Sequence, residues 1–64
     1  MTKEQLIIGN VYSIYFLANP ANAFPRLMLE QLKNNTAIFI NKNGEEVHFL
    51  FKELAMLSIT EVPL

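Results

Sequence analysis

His48 is the sole histidine of the chain, Ser13 and Ser58 are its only serines, and it has no aspartate or cysteine. A nucleophile, a base and an orienting group would have to come from serine, His48 and glutamate, and neither serine stands in a Gly-x-Ser-x-Gly elbow. Glu45 and Glu46 are the only adjacent carboxylates. If they lie on a strand they point to opposite faces and cannot share a substrate. A lone histidine with scattered glutamates does not supply the converging ligands a metal needs within one chain. Gly9 and Gly44, the only glycines, make no phosphate-cradling loop. These residues therefore predict a non-enzyme with no metal or cofactor, in which His48 is a strand residue or a contact residue.

The frame that must hold such residues is small. The chain has 64 residues and a formal net charge of −1, so residues 1–64 are expected to form a single domain around a single core. Apolar types make up 52% of it, which is high for so short a chain; either the core is dense or part of that surface meets a partner. Without cysteine, stability has to come from packing or association, and a reducing compartment fits. There is no signal-type apolar segment at the start and no apolar run of membrane-spanning length, so the expectation is a cytoplasmic protein that does not enter a membrane. Arg26 and four lysines against six glutamates form no basic excess of the kind nucleic-acid binding usually requires.

The clearest local signal is Thr36 to Phe51, read as a β-hairpin around Asn43-Gly44. Asn-Gly supplies the positive φ angles of a two-residue type I′ turn, with β-branched and aromatic residues on both flanks. That register pairs Ile40 with Val47, Ile38 with Phe49 and Thr36 with Phe51, which makes one face nearly all apolar. A four-residue loop keeps this face. A three-residue loop, Lys42 to Gly44, would oppose Ile40 to Glu46 and Ile38 to His48, and is disfavoured on that ground.

Elsewhere, Thr2 and Gln5 match a capping box for one helical turn, or else Leu6 to Ile8 open the first strand with Gly9 as a bulge. Val11 to Leu17 reads as a strand with Tyr12, Ile14 and Phe16 on one face. After Asn19-Pro20, the spacing of Phe24, Leu27, Met28, Gln31 and Leu32 predicts an amphipathic helix starting near Asn22 or Pro25. Arg26–Glu30 and Glu30–Lys33 pairs would decorate it, Leu29 would lie off its stripe, and Asn34-Asn35 would end it. Lys52 to Leu54 reads as a short 3₁₀-like turn. A last strand, Ala55 to Val62, turns Leu57 and Ile59 inward.

The order is strand, helix, hairpin, short turn, strand. Strongly bent strands with a short turn before the last one resemble, in architecture, the small SH3-like barrels, including the Sm-like kind. The alternative is a two-layer α+β domain with the helix packed on an antiparallel sheet. In the two-residue register the second hairpin face carries Ala37, Phe39, His48 and Leu50. Phe39, His48 and Leu50, with Tyr15, are the candidate contact residues unless the helix or a closing barrel covers them. The expected function is an interaction module that forms a homodimer or docks on a protein through this patch or a free strand edge. The alternative is single-strand nucleic-acid binding by stacking on Tyr12, Tyr15 or Phe39 near Lys42 and Lys52, which the charge disfavours.

Overall fold

A computed structural model describes residues 1–63. Five strands form one antiparallel sheet: β1 (Val11–Phe16), β2 (Asn19–Lys33), β3 (Thr36–Ile40), β4 (Glu46–Leu50) and β5 (Leu57–Glu61). Their spatial order is β4-β3-β2-β1-β5, and the sheet does not close into a barrel. Short 3₁₀ turns at Lys3–Gln5 and Phe51–Met56 lie before β1 and between β4 and β5. In the first, the Gln5 side-chain oxygen accepts the Thr2 backbone N–H at 2.8 Å. Gly9 follows with φ +96° in the turn that leads into β1.

β1 and β5 follow their predicted alternation, although β5 begins at Leu57 and not at Ala55, because Ala55 and Met56 belong to the preceding 3₁₀ turn. Tyr12 and Ile14 are fully buried, and Leu57 and Ile59 join them in the core. The Tyr12 hydroxyl, at the rim of that core, accepts the Ile7 N–H at 2.9 Å. It thereby satisfies a group that burial would otherwise penalise.

The expected helix is absent: no α-helix occurs among the described residues, and residues 19–33 form the longest strand. The α+β alternative falls with it. Two bulges explain why a strand carries helix-like spacing. Tyr12 pairs with Leu27 and Ile14 with Phe24, so Pro25 and Arg26 together oppose Ser13. Further on, Leu29 pairs with Phe39 and Gln31 with Ile38, which leaves Glu30 as an extra residue. Each bulge turns a two-residue step between inward side chains into a three-residue step. Phe24, Leu27, Leu29 and Leu32 all reach the core, and the steps from Phe24 to Leu27 and from Leu29 to Leu32 imitate a helical stripe. Leu29, off the predicted stripe, is completely buried, whereas Met28, on it, is 40% exposed. Pro25 fits because a bulge position needs no ladder N–H.

Asn34 and Asn35 do take up left-handed geometry, with φ +52° and +60°, but as a hairpin turn rather than a helix terminus. Lys33 pairs with Thr36 across them, the two-residue turn with both central φ angles positive that Asn-Gly was expected to make.

The β3–β4 connection is instead the three-residue loop. Asn41 N–H donates to the Glu45 carbonyl at 3.0 Å and Gly44 N–H to the Asn41 carbonyl at 3.0 Å. The Asn41 side-chain oxygen accepts the amides of Asn43 (2.9 Å) and Glu45 (3.0 Å). Only Gly44, at φ +83°, needs left-handed backbone, as in a turn closed by a glycine bulge. Open space surrounds the position where a Gly44 Cβ would stand, so Gly44→Ala carries a backbone penalty alone. A loss of about 1 kcal/mol is expected, seen as a fall in Tm of roughly 4–8 °C.

This loop shifts the hairpin register by one residue. Phe39 pairs with Val47, Ile38 with His48 and Ile40 with Glu46. Val47 and Phe49 still face inward, but β3 is turned over, and Ala37 and Phe39 are now interior. The gain is aromatic packing: Phe39 meets Tyr12 and Phe49 edge-on, at 6.3 and 5.8 Å between ring centroids. Phe16 and Phe24 complete the cluster against Phe49.

Candidate interaction surface

The register change dissolves the contact patch read from the sequence. Phe39 has no exposed surface, so it is a core residue and not a contact residue. His48 and Leu50 lie on the outer side of β4, where Leu50 is 41% exposed and the His48 Nε2 atom is 2.9 Å from the Glu46 Oε1 atom. Tyr15, 37% exposed, lies on β1 between Ala23 and Ser58 of the neighbouring strands. Tyr15 on β1 and the pair His48 and Leu50 on β4 lie on different strands, with β2 and β3 between them in the sheet order. Among the described residues there is no group of three or more side chains able to hold a metal ion.

The sheet has two outer edges, one on β4 and one on β5. The bonds flanking each ladder set which groups are spent on it. Val62 N–H donates to the Val11 carbonyl and Leu17 N–H to the Met56 carbonyl. Alternation then directs the backbone of Ser58 and Thr60 toward β1 and that of Leu57, Ile59 and Glu61 outward. On β4, the Asn41–Glu45 and Phe51–Asn35 bonds likewise leave Glu46, His48 and Leu50 pointing outward. Two of these outward amides are capped locally: Leu50 N–H by the Glu53 carboxylate at 2.8 Å and Leu57 N–H by the Leu54 carbonyl. Ile59 and Glu61 on one edge, and Glu46 and His48 on the other, have outward backbone groups with no ladder partner among the described residues, Ile59 being 7% exposed as a whole residue.

Two further surfaces were not visible in the sequence. A cleft of about 470 Å³ lies between the 3₁₀ turns, with Lys3, Glu4 and Lys52 in its wall. The Lys3 ammonium sits 4.9 Å above the Phe51 ring. A groove of about 360 Å³ runs between residues 23–27 of β2 and 41–43 of the β3–β4 loop. The one available signal for the groove was Pro25 next to Phe24 inside a supposed helix, a pairing that strand geometry with a bulge accommodates better. No protein-family model, curated protein or solved structure matches the chain. No helix is long and apolar enough to cross a membrane among the described residues.

Proposed function

We propose that this protein is a small non-catalytic interaction module that associates through the open edges of its sheet, with a second copy of itself or with a strand of a protein partner. The observation that carries the reading is the strand order β4-β3-β2-β1-β5, which leaves one side of β4 and one side of β5 unpaired. Soluble domains usually guard such edges with lysine, proline or a covering element. β5, Leu57–Glu61, has neither lysine nor proline in it. Leu57 and Ile59 belong to the core, while Ser58 is half-buried and Thr60 and Glu61 are exposed, and an unpaired strand edge of this kind can pair with an extended strand. We read the architecture as SH3-like. The reading is supported by a long second strand that pairs with β1 through residues 19–28 and with β3 through residues 28–33, and by the 3₁₀ turn before the last strand.

An antiparallel β5–β5 contact around a two-fold axis is self-complementary, and it sets the two Ile59 positions opposite each other. The test is a synthetic chain methylated on the Ile59 amide nitrogen, which keeps every side chain and removes the open donor. Light scattering over a wide dilution series should give a dimeric mass for the natural chain at high concentration and a monomeric mass for the methylated one. The Tm of the natural chain should also rise with concentration. A monomeric mass for the natural chain at every concentration, or a dimer indifferent to the methyl group, would overturn pairing through β5.

A further inference from the structure

We infer that the groove between β2 and the β3–β4 loop is a docking site for an extended, acidic, apolar-anchored segment of a protein partner. The inference rests on the interaction-module reading but uses a different surface. β2 outruns β3: their ladder stops where Met28 pairs with Ile40, and from there the chain of β3 turns off into the loop at Asn41. Residues 23–27 thus pair with β1 on one side and with no strand on the other. A peptide laid there would occupy the place that a longer β3 would have taken, the strand-addition mode of peptide recognition. The bulge at Pro25 and Arg26 shapes this stretch, and bulges commonly re-aim side chains at binding sites.

The groove's lining states the chemistry of its occupant. Ala23, Phe24, Pro25 and Leu27 make it mostly apolar, with room for a large side chain and adjoining backbone. Arg26 and Lys42 are its only charged residues. Among the described residues neither has a carboxylate within ion-pair distance. Glu45, the carboxylate nearest in sequence to Lys42, is engaged by the Asn41 side-chain amide at 3.0 Å. In an apolar groove flanked by two unpaired cations, complementarity selects carboxylates beside an apolar anchor. The cleft between the 3₁₀ turns lacks this bias, because Glu4 shares its wall with Lys3 and Lys52.

The experiment is fluorescence anisotropy with the full chain and three labelled probes. These are a short peptide alternating glutamate and valine, the same peptide with lysine for glutamate, and oligothymidine. The acidic peptide should bind, weaken as salt is raised, and bind about tenfold or more weakly to Arg26→Glu and to Lys42→Glu. Both positions are exposed, so both variants should melt like the natural chain. His48→Ala, outside the groove, should bind the peptide unchanged. Amide shifts in NMR spectra should concentrate in residues 23–27 and 41–43. No binding of the acidic peptide at about 1 mM, equal binding of the basic peptide, or binding indifferent to both charge reversals overturns the inference. Tighter binding of oligothymidine, lost in the same variants, overturns it in favour of a nucleic-acid strand. None of these results bears on dimerisation through β5, which is read by mass and by the Ile59 amide.

Discussion

Phe39→Ser is expected to leave the chain largely unfolded at room temperature, while Ile40→Ser, one residue along the same strand, leaves it folded. Phe39 is completely buried and meets the rings of Tyr12 and Phe49 edge-on. Removing a buried phenylalanine side chain costs about 3–5 kcal/mol in transfer and cavity terms. Each aromatic pair adds roughly 0.5–1.5 kcal/mol, and a buried serine hydroxyl without a partner costs about 1–3 more. A domain of this size has a total stability on the order of 5 kcal/mol, so the sum exceeds what is available. Ile40 points to the opposite side of β3, across from Glu46, and is half-buried. Its loss should stay near 1 kcal/mol. Circular dichroism melts of the two variants read the difference directly. The reverse order, with Ile40→Ser unfolding and Phe39→Ser tolerated, would restore the two-residue loop and its register.

The second large effect belongs to β2. Leu29→Ala should cost about 2–5 kcal/mol, and Met28→Ala less than about 1. A helix with the stripe Phe24, Leu27, Met28, Gln31 and Leu32 would make Met28 the more sensitive position. The bulged strand makes it Leu29, which has no exposed surface, against 40% for Met28. The comparison isolates the side chain because the Leu29 backbone is fixed on both of its polar groups. Its N–H donates to the Asn10 carbonyl at 3.0 Å, and its carbonyl accepts the Gly9 N–H at 2.8 Å. Alanine keeps both bonds. Urea titrations of the two variants should therefore differ severalfold in lost stability with little change in slope. Equal losses, or a greater loss at Met28, would mean that residues 24–33 do not form the strand.

These two variants also mark where sequence and tertiary structure divide the work. The alternation in Val11–Phe16 and Leu57–Glu61 determined by itself that these are strands, and that Tyr12, Ile14, Leu57 and Ile59 face the core. The same holds for the inward Val47 and Phe49 of β4. In each case one regular period runs through the whole segment, so local pattern and burial carry the same information.

β2 and β3 were decided elsewhere. A bulge is an agreement between two strands about which residue to leave unpaired. At Pro25–Arg26 the partner is Ser13, and at Glu30 it is the gap between Ile38 and Phe39. Nothing within residues 24–33 states that agreement, and its trace on the local pattern is a spacing that matches a helix. The β3–β4 loop is similar. Lys42 to Gly44 permits a two-residue or a three-residue turn at comparable local cost, but the choice turns over every side chain of β3. Which face goes inward was settled by Tyr12 and Phe49, whose rings have room for Phe39 between them, and those contacts exist only once the sheet has assembled. The contact surface followed the same division. Residue types carried the expectation of a non-catalytic chain, whereas the unpaired β5 edge and the groove beside Arg26 arise from where strands stop pairing, which only the assembled sheet defines.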